Sequence, residues 1–212
     1  MIELKQCCKV PFPEKLFEQY EVKENAIHAN VNASKVLDMM KRFIEMHNEP
    51  LFFILELPCK DVDGITKSKR IVNVNEEFDV YFMDGLDAEQ ACQCIDMLGI
   101  FLIKDGMSIF GIGGHKSHEE ILFGKYNVMT LFTQSPEKYL DFLSDFKIEQ
   151  TDTLITAYDT FDPDHPGECT IYVSEETGKT VYDIPDIFKE YGMYLYEGTN
   201  GILRTPQFSG HL

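Results

Sequence analysis

Apolar positions along the 212-residue chain follow two different spacings, and each predicts an element. In "NASKVLDMMKRFIEMHNEP" (32–50), Val36, Leu37, Met40, Phe43, Ile44 and His47 recur at three- and four-residue steps. That spacing lines one helical face, with Asn32 or Ser34 as N-cap and Pro50 as the stop. In "LDAEQACQCIDML", Asp87 and Gln90 have capping-box spacing and Ala91, Cys92, Ile95 and Leu98 point inward. "SPEKYLDFLSDF" predicts a third helix, with Ser135 as N-cap, Pro136 at the first turn, and Tyr139, Leu140, Leu143 and Phe146 buried. A short helix through "PDIFKEY" ends at Gly192.

Shorter apolar runs predict strands: "LFFILEL" (51–57), "FDVYFM" (78–83), "MSIFGI" (107–112), "YNVMTLF" (126–132), "TLITAY" (153–158) and "CTIYV" (169–173). Two of the joins, 78–112 and 126–158, each read strand, capped turn, helix, strand. In series they spell β-α-β-β-α-β, so the expected class is α+β with a ferredoxin-like core over 78–158. Its sheet is antiparallel or mixed, with both helices on one face. An N-terminal helix-strand extension (1–77) and a C-terminal extension (159–212) frame this core. No linker-like stretch divides the chain, so a single domain over 1–212 is expected. The polar stretch "PCKDVDGITKSKR" (58–70) reads as a loop carrying Lys60, Lys67, Lys69 and Arg70, and "EGTNGILRTPQFSGHL" reads as irregular.

Charge changes this picture more than composition does. Thirty-six acidic residues against nineteen basic ones give a net charge of −17. Such a surface repels nucleic acid and anionic membranes, and it speeds encounter with a basic protein. Inhibitors and immunity-type proteins against nucleases exploit this effect by imitating phosphate charge. The favoured function is therefore a non-enzymatic protein-interaction or inhibitor module for a basic partner, with no cofactor. The six cysteines include no C-x-x-C, and Cys92 and Cys94 lie too close in sequence to share a helical face. The start "MIELKQCCKV" lacks an apolar signal core, so free thiols and a cytoplasmic location are expected.

Two clusters carry candidate chemistry. "FGIGGHKSHEEI" (110–121) lacks the third glycine of a dinucleotide loop and the G-K-[ST] of a phosphate loop, and its glutamates would repel a phosphate. His115, His118 and Glu119 have helical-face spacing that suits a divalent metal such as zinc. The plainer reading makes Ser117 and Glu120 a capping box ahead of a helix, which leaves His115 outside it. The second cluster, "YDTFDPDHPGE" (158–168), supplies Asp159, Asp162, Asp164 and His165, in a sequence rich in turn chemistry. If 107–112 and 153–158 are strands pointing the same way, the two clusters meet at one sheet edge. The alternative function is then a metal-dependent hydrolase using His115, His118, Glu119, Asp159, Asp162, Asp164 and His165.

Overall fold

The structure is a computed structural model that describes residues 2–59 and 78–197. The basic loop residues 60–70 and the glycine-rich stretch 198–212 lie outside the described residues. Nine strands form one sheet: β2 (Gln19–Lys23), β3 (Ala26–Asn30), β4 (Leu51–Pro58), β5 (Phe78–Leu86), β6 (Ile109–Gly114), β7 (Glu120–Phe123), β8 (Val128–Phe132), β9 (Glu149–Gln150) and β11 (Tyr194–Glu197). Their order is β11-β5-β4-β6-β7-β8-β3-β2-β9, and every neighbouring pair is antiparallel except β2 and β9. A separate two-stranded ribbon joins β1 (Cys8–Lys9) to β10 (Glu168–Cys169).

Strand alternation gives the sheet two unlike faces. The inner face presents Leu51, Phe53 and Leu55 of β4, Phe110 and Ile112 of β6, Ile121 and Phe123 of β7, and Met129 and Leu131 of β8, all fully buried. Against it pack α1 (Val36–Glu45), α2 (Ala88–Lys104), α3 (Leu140–Asp145) and α4 (Ile184–Phe188), whose buried residues belong to the same core cluster. Phe43 of α1 sits in this layer with no exposed surface, and truncating a ring so placed costs about 3–5 kcal/mol. Four helices over one face of a mixed sheet make this an α+β chain.

The helices start where their caps direct. Asp87 accepts the Gln90 N–H at 2.8 Å while Gln90 returns a contact to the Asp87 N–H at 3.0 Å, the reciprocal box expected of α2. Met39 and Cys94 are buried where Leu37 and Cys92 were expected, and Leu140 turns outward at 40% exposure. Ser135 makes no side-chain cap, and a single-turn 3-10 segment precedes α3. Gly192 ends the last helical turn in the left-handed region, at φ 93°.

The strand-helix-strand unit expected over 78–112 is present. β5 and β6 run parallel on either side of β4, with α2 as the crossover between them. The second unit expected over 126–158, and with it the ferredoxin-like β-α-β-β-α-β order, is not formed, because 153–158 is not a strand. Leu154 donates its N–H to Glu21 Oε2 at 3.2 Å, and the Ile155 carbonyl accepts from Asn30 Nδ2 at 2.8 Å. Side chains of β2 and β3 thus take the backbone groups that a ladder would have used. The strand directly after α3 is the two-residue β9, and residues 169–173 contribute just the end of β10. The helix expected after Ser117 is instead strand β7, the return arm of a hairpin with β6.

Candidate functional site

The β6–β7 hairpin explains the glycines of residues 110–121. A Cβ on Gly111 would stand 2.1 Å from the Ile121 carbonyl, and one on Gly113 would stand 2.2 Å from the Phe52 ring. The close approach of the Ile121 backbone, not a phosphate cradle, requires glycine at 111, and the Phe52 ring lies over Gly113. The loop itself is pinned by Glu49, whose carboxylate accepts the N–H groups of Lys116 and Ser117. Ser117 Oγ accepts the Glu119 N–H at 3.2 Å, a local turn contact rather than a helix cap.

The seven residues singled out in the sequence have separate fates. His115 packs on Phe52, with ring centroids 5.1 Å apart, and its Nε2 lies 3.2 Å from Asp84 Oδ1. His118 occupies the left-handed region at φ 57° in the exposed turn. Glu119 is buried. Its carboxylate accepts from Thr133 Oγ1 at 2.7 Å, Tyr139 OH at 2.9 Å, His47 Nε2 at 3.0 Å and Lys138 Nζ. Burial alone would raise this carboxyl, but the bonds from Lys138, Thr133, Tyr139 and His47 outweigh it and hold it at about 2. His47 also donates from Nδ1 to the Phe43 carbonyl at 2.7 Å, so α1, β7 and the segment before α3 are tied by one network.

Residues 159–165 lie at the other end of the sheet. Tyr126, just after β7, makes edge contacts with Tyr158 and Phe161, whereas the His115–Glu119 turn precedes β7. The length of β7 therefore separates the two clusters. Asp159 caps its own turn by accepting from Thr156 N at 2.7 Å. Asp162 Oδ1 accepts the N–H groups of Asp164 at 2.9 Å and His165 at 2.8 Å, and His165 Nδ1 lies 3.0 Å away. That contact with His165 holds the exposed Asp162 carboxyl below its ordinary value. Asp164 is exposed. Among the described residues, no three His, Cys, Asp or Glu side chains group to hold a metal ion.

The outer face of the sheet is the candidate that sequence reading missed. No α-helix among the described residues packs on it. Register places Phe52, Ile54 and Glu56 of β4 beside Phe82 and Val80 of β5, Gly111 and Gly113 of β6, Glu120 and Leu122 of β7, and Phe132 of β8. Phe82 contacts Phe52 at 5.3 Å and Tyr196 at 4.9 Å between ring centroids. Phe132 and Tyr196 keep 44% and 39% of their surface, against nothing on the inner face at Phe53 and Phe110. Beside Phe132 lies a shallow depression of about 500 Å³, lined also by Lys23, Glu24, Asn25, Ala26 and His28.

Two carboxylates are set into this apolar surface. Burial raises Glu56 above its ordinary value. Burial, reinforced by the Glu56 charge, pushes Glu120 up to about 6. Neither has a hydrogen-bonding or cationic partner among the described residues. Both have therefore lost water without gaining a counter-charge, the state in which a carboxylate most favours an incoming cation. The signal for this site was the alternation in "LFFILEL", which hides a half-open face inside an apolar run.

No family model, no curated protein and no solved structure matches the chain. No described helix is long and apolar enough to cross a membrane.

Proposed function

We propose that the chain is a protein-interaction module whose open sheet face docks a basic partner, as an inhibitor or immunity-type protein would. The observation that carries this reading is the pair Glu56 and Glu120, partnerless carboxylates in a half-buried aromatic surface. A lysine or arginine of the partner supplies the missing counter-charge, and its apolar neighbours cover Phe52, Phe82 and Phe132. The net charge of −17 speeds the encounter, and the aromatic patch supplies the area that holds it. A cytoplasmic setting fits the unbridged cysteines of the described residues.

A peptide of alternating arginine and leucine serves as probe. Glu56→Gln with Glu120→Gln is compared with Glu175→Gln plus Glu176→Gln, an exposed pair elsewhere that changes the net charge equally. Titration calorimetry should show at least tenfold weaker binding for the first double variant and less than about twofold for the second, since a desolvated charge contact outweighs a solvated one. Equal losses would mean that bulk charge alone attracts the probe and that the face is not the site.

A further inference from the structure

A different part of the molecule carries a second kind of chemistry. We propose that Cys8 and Cys169 are a redox couple, which closes to a disulfide on exposure to hydrogen peroxide and reopens with a thiol reductant. The two residues are direct partners in the β1–β10 ribbon, and their Sγ atoms lie 3.1 Å apart. Thr170 donates its N–H to the Cys7 carbonyl at 2.9 Å. This makes the adjacent Cys8–Cys169 position the non-hydrogen-bonded kind, where antiparallel partners come closest. Backbone separations at such a position lie within the range that a disulfide spans, so closure needs no rearrangement of the ribbon.

The surroundings favour Cys8 as the nucleophile. The contact with the Cys169 sulfur outweighs burial and holds the Cys8 thiol below its ordinary value. Lys5 is fully buried at the same end of the sheet, donating to the Ser108 carbonyl at 3.4 Å and sitting 4.7 Å over the Phe110 ring. Cys169 bears the opposite cost of sharing a proton with its neighbour, and its thiol is raised. Two sulfurs in direct contact, one of which ionises more readily than the other, are the pair that a peroxide reaction needs.

The Cys8 thiolate attacks one oxygen of hydrogen peroxide, the O–O bond breaks, and Cys8 becomes a sulfenic acid while hydroxide leaves. Cys169 then attacks that sulfur, the S–O bond breaks, and the departing hydroxyl takes the Cys169 proton to leave as water. Sulfur loses two electrons and the peroxide gains them. A dithiol reductant reverses the bond by exchange. Closure fastens the N-terminal strand to the 168–172 segment, which already contacts it through Thr170 and Cys7. Cys7 lacks a direct partner of this kind, because its own cross-strand neighbour is Thr170.

The test is peptide mapping of the full chain after peroxide treatment, with N-ethylmaleimide blocking and digestion without reduction. The expected product is a single linked pair joining Cys8 to Cys169, with an intact mass lower by two hydrogens and restored by dithiothreitol. Cys7→Ser should keep the link, and Cys169→Ser should leave Cys8 as a sulfenic acid that dimedone captures. Wild-type protein in which both Cys8 and Cys169 take up maleimide after peroxide, or in which Cys7 forms the link, would overturn the proposal. That reading comes from unaltered protein and does not depend on a variant folding.

Discussion

Replacing Glu119 by glutamine tests whether the buried network, rather than any metal, is what Glu119 serves. The carboxylate receives Lys138, Thr133, Tyr139 and His47, and it ionises near 2 instead of its ordinary 4.5. A difference of that size corresponds to roughly 3 kcal/mol at neutral pH, and to about 2 kcal/mol after allowance for water reaching the Lys138 side. Lys138 is 40% exposed, which is why the allowance is needed. A folded-state value below the unfolded one means that this stability is complete above pH ~4.5 and drains away as the pH falls toward 2. Glutamine keeps the shape but turns an amide N–H₂ toward groups that all donate. The variant should therefore lose about 2 kcal/mol at pH 7, a fall in Tm of roughly 4–8 °C for a chain of this size. Urea and thermal melts followed by circular dichroism at pH 7 and at pH 2.5 provide the assay. The gap between wild type and variant should shrink at the lower pH. A gap below about 0.5 kcal/mol at pH 7, or one that ignores pH, would refute the network argument.

Three other outcomes follow from the same structure. Glu120 has a folded-state value raised to about 6, so its ionisation opposes folding and stability falls as pH rises from about 4.5 through 6; Glu120→Gln should gain about 1 kcal/mol at pH 7 and nothing at pH 4 in urea titrations. Gly111→Ala drives a Cβ into the Ile121 carbonyl and should cost about 3 kcal/mol, while Gly124→Ala, whose Cβ first meets the Val128 carbonyl at 3.5 Å, should cost under about 1 kcal/mol by the same melts. Closing Cys8 to Cys169 links positions 161 apart, for which chain entropy gives about 5 kcal/mol and engineered bonds typically deliver 2–4; the peroxide-treated protein should melt roughly 4–16 °C higher, and an unchanged Tm would deny that the bond constrains the unfolded chain.

Periodicity and caps made α1 and α2 legible, because Phe43 and Ile44 or Ile95 and Leu98 repeat at helical spacing within a long window. The β2–β3 hairpin was not legible. Its turn uses Glu24 at φ 50° without a glycine, and the alternation of Tyr20 and Val22 with Gln19, Glu21 and Lys23 spans only five residues. Strand β7 was hidden by a coincidence of spacing, since Ser117 and Glu120 imitate a capping box while Ser117 bonds only two residues ahead. The residues near the site were visible one at a time, but not their partners. His115 meets Asp84, and Glu119 meets His47, Thr133 and Tyr139, contacts that only the sheet order creates. Likewise, Cys8 and Cys169 are brought together by the folding of nearly the whole chain. Bulk charge was plain from the sequence, whereas the face that concentrates its effect depends on which strand residues the helices leave uncovered.

The most direct test of the docking face is an NMR footprint of the arginine–leucine probe on isotope-labelled protein. Shifts should concentrate at Phe52, Phe82, Leu122 and Phe132, with the Glu120 carboxyl carbon moving toward its ionised position at pH 6. Shifts confined to the exposed helical side, around Asp96 or Glu89, with the sheet-face resonances unmoved, would contradict it.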